Sequence, residues 1–224
     1  MSLLQVALIF ASVHFARSAA DADNTGGTPG ACPGAISRTK VIVLAGQSNM
    51  EGWAKKKLWE HQATDEKTRA FFTPFRDNNN TRWVERDDVL IKFLGRKGPL
   101  TFGYGADHES DDGHPQGYTG LEYAFGLRVG DHFDEPVLLI KVAWGGRSLW
   151  KDFRPPSSGL PGDLGKVLAL EYGRDYRLMI DEVQSTMKDA GKLFPQLNGT
   201  NSIMQLAGFV WFQGWNDQYG SAEL

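Results

Sequence analysis

Three times in this chain a short apolar run gives way to a glycine-bearing polar turn. Val41 to Ala45 leads into Gly46-Gln47-Ser48-Asn49-Met50, Val137 to Val142 into Trp144-Gly145-Gly146-Arg147-Ser148-Leu149, and Phe209 to Phe212 into Gln213-Gly214-Trp215-Asn216-Asp217. Each run lacks helical spacing and is too short for a core helix, the pattern of a buried strand. Segments that read as helices separate the runs, so the expected fold is α/β, a mainly parallel sheet with helices on both faces. Parallel strands would bring all three turns to one edge of the sheet, where open α/β sheets bind ligands. Ser48, the Gly145–Gly146 pair and Asn216 are therefore expected to meet.

The intervening segments fit that scheme. Lys55 to Phe72 is polar with scattered apolar positions and predicts a helix. Phe72 to Arg86 carries Pro74 and the Asn78-Asn79-Asn80 run and predicts a loop, and Val89 to Leu94 a short strand. Gly95 to Gly120, rich in glycine and holding His108 and His114, reads as a long irregular segment of the kind that often serves function. Gly120 to Gly130 predicts a helix packing through Leu121, Phe125 and Leu127. Arg154 to Gly162 reads as a loop. From Tyr172 the positions Tyr176, Met179, Ile180, Val183 and Met187 fall at helical spacing, with Gly191 as the stop signal.

The chain has 224 residues, enough for one α/β domain with its own core. Its 24 basic and 27 acidic residues give a net charge of −3, which supplies no electrostatic reason to bind nucleic acid or an anionic membrane. Leu3 to Phe15 is mostly apolar and is followed by Ala20-Asp21-Ala22, so residues 1–22 are expected to be a signal peptide, although no Lys or Arg precedes the apolar stretch. Residues 23–38, rich in Gly, Pro and Thr, are expected to be a linker. No other segment approaches the ~20 apolar residues of a membrane span, so a soluble, secreted or periplasmic protein is expected. Cys32 is the one cysteine and can form no intramolecular disulfide. Asn79 and Asn198 begin glycosylation sequons. The histidine and cysteine spacings match no metal site, and no cofactor is expected. Trp144, Trp150, Trp211 and Trp215 read equally as core, as walls of a site or as platforms for sugar rings.

Acyl transfer by a serine needs a nucleophile, a base, an acid that orients the base, and donors for the oxyanion. Ser48 suits the first role. The donors would be its own N–H, an N–H of Gly145 or Gly146, and the carboxamide of Asn216, a neutral donor with no proton to lose. Glycine suits the middle turn because its backbone can approach a substrate closely.

These three blocks, in this order and each after a strand, resemble the SGNH hydrolase superfamily, and within it the sialate O-acetylesterase and acetylxylan esterase type of carbohydrate esterase. The resemblance runs from about Thr39 to Tyr219. It implies a flavodoxin-like three-layer α/β/α fold over residues 39–224 and removal of acetyl groups from sugars, with an acetylated carbohydrate as the partner. It implies Ser48 as nucleophile and Gly146 (or Gly145) and Asn216 as oxyanion donors beside the Ser48 N–H, with Gln47 and Gln213 flanking the site at the substrate. Arg147 has the chemistry to bind a substrate's sugar carboxylate, against the default of a solvated loop arginine. The family's base is a His three residues after an Asp, late in the chain. Here the Asp-x-x-His spacing occurs at Asp111 to His114, before the second block, so the expectation is a C-terminally incomplete domain. Two alternatives stay open: a non-catalytic carbohydrate-binding protein on an esterase fold, and an inactive fragment.

Overall fold

The computed structural model describes residues 38–79, 81–106, 117–162, 166–197 and 202–219. The expected signal peptide, almost all of the expected linker, Cys32, Asn198, His108 and the Asp111–His114 pair lie outside them.

Val41 to Ala45 is the middle of a longer strand, β1 (Arg38–Gly46), buried without a break from Val41 onward. An unbroken apolar run is what a strand covered on both faces requires. Ser48 opens a single helical turn, α1 (Ser48–Glu51). Then come β2 (Ala54–Lys55), α2 (Lys56–Thr64), α3 (Arg69–Phe72), β3 (Arg86–Phe93), β4 (Arg96–Leu100), β5 (Tyr118–Thr119), α4 (Leu121–Gly130), β6 (Val137–Ala143), α5 (Lys166–Glu171), α6 (Arg174–Leu193) and β7 (Ile203–Phe212). A 3₁₀ turn, Trp215–Tyr219, follows β7.

The main sheet has the order β4-β3-β6-β1-β7. β1 runs parallel to β6 and β7, β3 runs parallel to β6, and only β4 is antiparallel. The α/β class and the mainly parallel sheet are as expected. Ile42, Leu44, Val89, Ile91, Phe93 and Leu139 pack on one face with Tyr123 and Leu127 of α4. Val41, Val43, Leu90, Leu138, Ile140 and Val142 pack on the other with Met179 and Ala190 of α6. Full burial of one such side chain stabilises by about 2 kcal/mol, so these two layers, rather than the polar turns, hold the sheet together.

The structure departs from the sequence reading in four places. The helix expected over Lys55–Phe72 breaks into α2 and α3, because Asp65 is extended (φ −67°, ψ 133°) and its carboxylate accepts the Lys67 N–H at 2.9 Å. Such local side-chain bonds compete with helix continuation. The segment expected to be irregular over Gly95–Gly120 contains β4, an edge strand that tolerates Pro99, and β5, which pairs with β2. A short helix that the spacing did not announce, α5, precedes the long α6. The strand expected at Phe209–Phe212 begins at Ile203. Among the described residues β7 pairs on one side only, with β1, and Leu206 and Phe209 are 59% and 54% exposed.

Candidate active site

Gly46 ends β1 directly opposite Phe212 of β7. A side chain there would place its first carbon 2.1 Å from the Phe212 carbonyl oxygen, so glycine alone lets the two strands approach. Gln47 follows in an extended conformation (φ −104°, ψ −152°) and caps the turn that bears Ser48.

Gln47 is 1% exposed, and its side-chain carbonyl is the hub of the site. Oε1 accepts the Ser48 N–H at 2.8 Å, the Ser48 hydroxyl at 2.5 Å and the Asn216 amide at 2.9 Å. Three donors converging on one atom set the orientation of the amide, since a flipped group would turn NH₂ toward the same donors. The consequence is that Gln47 Nε2 is buried with no partner. Asn216 also donates to the Arg147 carbonyl at 3.1 Å. One strand-end pair thus brings a residue of the first turn and a residue of the third into a single network.

The second turn closes against the same point. A carbon added at Gly145 would lie 3.9 Å from the Ser48 Cβ and 3.0 Å from a Glu51 carboxylate oxygen, whereas one at Gly146 (φ +73°) meets nothing within 4 Å. Gly145 therefore sits against the Ser48 turn, and Gly146 supplies the left-handed bend that only glycine adopts without strain.

The loop after these glycines is fastened by carboxylates. Asp217 Oδ1 accepts the N–H groups of Leu149 at 2.7 Å and Trp150 at 3.0 Å, and its Oδ2 takes Leu149 at 3.0 Å. Gln213 Nε2 donates to the Arg147 carbonyl at 2.8 Å and to Asp217 at 3.2 Å. Asp152 accepts both the N–H and the hydroxyl of Ser148, at 2.7 and 3.1 Å. The Arg147 guanidinium faces buried Asp175 at 3.1 Å and Asp152 at 3.8 Å. The Asp175 contact lacks hydrogen-bond alignment, so it is a charge pairing. Burial pushes the Asp175 carboxyl above its usual value against the pull of Arg147, with Asp152 adding to the rise.

The described residues singled out for the site are thus placed. Ser48, Asn216 and Gly145 meet. Gln47 and Gln213 turn their side chains onto the network itself, and Arg147 joins it through its backbone carbonyl while its guanidinium is paired with Asp175. Sequence reasoning gave Asp152, Asp175 and Asp217 no role. The visible signal was faint: Asp152 lies four residues after Ser148, a local turn spacing, and Asp217 directly follows Asn216. Trp144 and Trp211 pack around Phe153 with ring centroids at 6.2 and 5.0 Å, and Trp215 is exposed.

A cavity of about 470 Å³ opens beside Ser48 and Asn49, walled by Trp53, Trp59, Leu121 and Phe212. Among the described residues no histidine hydrogen-bonds to Ser48: His61 lies on α2, and His132 packs edge-on against Phe133. Among the described residues no helix is long and apolar enough to cross a membrane, and no three His, Cys, Asp or Glu side chains gather as a metal site would need.

No curated protein matches the chain. Among solved structures it is similar to a protein from Arabidopsis thaliana, with 17% identity, a TM-score of 0.43, and coverage of 80% of this chain and 58% of that one. It is also similar to a carbohydrate acetylesterase from Xanthomonas citri, with 16% identity, a TM-score of 0.37, and coverage of 79% of this chain and 32% of that one. The chain therefore spans less than two thirds of the length of either structure. A family model described as SASA, carbohydrate esterase, sialic acid-specific acetylesterase, matches residues 38–223. The chain belongs to that family of carbohydrate esterases.

Proposed function

We propose that this protein is a serine esterase that removes O-acetyl groups from carbohydrates, of the sialate O-acetylesterase or acetylxylan esterase type, acting outside the cytoplasm. The reading is carried by one observation: the Ser48 N–H, the Ser48 hydroxyl and the Asn216 amide converge on a single carbonyl oxygen, with Gly145 packed alongside. Two of these donors, the Ser48 N–H and the Asn216 amide, point at one oxygen as they would at the oxyanion of a tetrahedral intermediate, while the hydroxyl beside them is the attacking group.

In this scheme the substrate ester takes the place of the Gln47 carbonyl. Ser48 Oγ attacks the acetyl carbon, and its proton passes to a general base and then to the departing sugar oxygen. The oxyanion is met by the Ser48 N–H, an N–H of the Gly145–Gly146 turn and Asn216, each donor being worth about 3 kcal/mol in the transition state. Water then releases acetate from the acetyl-serine. Before substrate enters, Gln47 Oε1 holds Ser48 and Asn216 in place, and Gln213 positions the Arg147 carbonyl. Arg147 borders the site, and it could take a sugar carboxylate only by giving up Asp175.

The test is hydrolysis of p-nitrophenyl acetate by the full chain and by Ser48→Ala. The variant is expected to keep the fold and lose turnover, and retained turnover would refute the nucleophile assignment. A second reading, binding of acetylated glycans without turnover, is favoured by the same Gln47 carbonyl, which already satisfies Ser48 and Asn216. Calorimetric binding of acetylated oligosaccharide with no acetate released by the wild type would select it.

A further inference from the structure

Within the apolar run of β6 stands one charge. Lys141 is fully buried, and so is its partner Glu122 at the start of α4, with Nζ 2.7 Å from Oε2. Lys141 lies between Leu44 and Phe93 in the sheet and sits 4.5 Å from the Phe93 ring centre. Burying an ion pair is costly, and apolar residues of the same volume are often at least as stable. A pair at this place in the core therefore calls for a reason beyond stability.

The remaining bonds supply one. Lys141 Nζ donates to the carbonyl of Glu51 at 2.7 Å and to that of Tyr104 at 2.8 Å. Glu51 is the last residue of α1, the single turn that begins at Ser48. Glu122 Oε1 accepts the Gly120 N–H at 2.7 Å and the Thr119 hydroxyl at 3.1 Å. Three segments thus meet above the pair, and they touch backbone to backbone. A carbon added at Gly52 would lie 2.4 Å from the Gly120 Cα, and one at Gly105 would lie 2.6 Å from the Gly52 carbonyl oxygen. Ala106 donates to that same Gly52 oxygen at 2.8 Å. Ser48, Gly52, Thr119 and Gly120 all border the 470 Å³ cavity.

We propose that Lys141 and Glu122 are a positioning pair for the nucleophile: Lys141 fixes the carbonyl end of the α1 turn, and Glu122 fixes the facing wall of the cavity at Thr119–Gly120. The ammonium acts from beneath the sheet rim and touches no substrate. A one-turn helix has little rigidity of its own, since its internal bonds are few. Its direction depends on what holds its two ends, Gln47 at the start and Lys141 at the finish. Burial lowers the affinity of Lys141 for its proton while Glu122 raises it, as expected for a charge kept in the core by one partner.

The experiment uses the full chain with Lys141→Met and Glu122→Gln combined. This variant strands no charge, and the carboxamide introduced by Glu122→Gln can still accept from Gly120 and Thr119, so what is lost is the grip on Glu51 and Tyr104. Two readouts are taken, p-nitrophenyl acetate turnover per folded molecule and the indole N–H resonance of Trp53, assigned with Trp53→Phe. The Trp53 indole donates to the Glu51 carboxylate at 3.0 Å and so reports the end of α1. Turnover is expected to fall about 100-fold, the scale of a 1 Å misplacement of a catalytic group, and the resonance is expected to move while thermal unfolding stays cooperative. Turnover within about twofold of wild type with an unmoved resonance would overturn the proposal, because a merely structural pair would change the unfolding temperature and nothing else. Should this variant not fold, Lys141→Gln with Glu122→Gln, whose shorter amide can still take one of the two carbonyls, is read in the same way. The turnover arm rests on the esterase reading. A wild type without turnover overturns that reading alone, and the Trp53 resonance then decides the positioning pair by itself.

Discussion

Replacing Gly46 by alanine tests the junction on which the whole site depends. The new methyl carbon would lie 2.1 Å from the Phe212 carbonyl oxygen and 2.7 Å from its carbonyl carbon, both backbone atoms with no rotamer to yield. Ordinary contact begins at 3.4 Å, so β1 and β7 must part by about 1.3 Å at this point (3.4 less 2.1). The Gln47 N–H to Phe212 carbonyl bond, already 3.3 Å long, would be lost. That bond contributes about 1 kcal/mol, and the overpacking adds about 1–3 kcal/mol, so the expected destabilisation is about 2–4 kcal/mol. The same movement separates Gln47 from the segment that carries Asn216, and a displacement near 1 Å lowers turnover by about 100-fold. Urea unfolding followed by tryptophan fluorescence measures the first quantity, and p-nitrophenyl acetate hydrolysis under folding conditions the second. An unchanged urea midpoint together with kcat/KM within about threefold of wild type would show that the strand-end contact does not set the geometry of the site.

Other outcomes follow from the same network. Asn216→Ala is expected to lower kcat by about 10²–10³-fold through loss of an oxyanion donor, and a change confined to KM would remove Asn216 from that role. Asp217→Ala frees the Leu149 and Trp150 amides, bonds to a charged acceptor that contribute about 1.5–3 kcal/mol each. Because the clip is partly exposed, the loss is expected mainly as faster hydrogen exchange at those two amides, and unchanged exchange would count against the clip. Asp175 carries a pH prediction. Its carboxyl binds a proton more tightly folded than at its ordinary value of 3.8. Its contribution is therefore most favourable below pH 3.8 and is lost as pH rises through the raised folded value. Asp175→Asn is expected to flatten stability against pH across that window, and an unaltered profile would contradict the assignment.

The parts of the fold legible in the sequence are those where burial leaves a local signature. β1 and β6 are covered on both faces, so their apolar runs are unbroken and their ends sharp. α6 shows its spacing because one face meets the sheet and the other meets water. β4 left no such trace: Arg96-Lys97-Gly98-Pro99 neither alternates nor accumulates apolar side chains, and only pairing along β3 makes it a strand. Lys141 was visible as one charge inside an apolar run, but its meaning depended on Glu122 and Glu51, which are distant in sequence. The site shows the same division. Ser48, Asn216 and the glycine turn were legible from type and order, whereas the work of Gln47, Asp152 and Asp217 is a matter of which backbone groups come within reach. Local sequence does not encode that.

The meeting of Ser48 with Asn216 rests on a register that no periodicity announces. β7 pairs Leu206 with Val41 and then Gly208 with Ile42, which leaves Ala207 as an extra residue in the strand. Had the pairing run on without that bulge, Trp211 and not Phe212 would stand opposite Gly46. Every residue beyond it would be carried one step, about 3.3 Å, farther past the rim, too far for the Asn216 amide to keep its 2.9 Å bond to Gln47. The same slip would turn Trp211 to the opposite face of the sheet, away from Phe153, whose ring it meets at 5.0 Å. The bulge therefore sets two things together, the side-chain layer that packs under the rim and the reach of the third turn above it. A carbon added at Gly208 would make only ordinary contact with Ile42, so the bulge is not crowded against β1. What brings Asn216 to the Gln47 carbonyl that Ser48 also meets is thus a defect in strand pairing five residues before the end of β7.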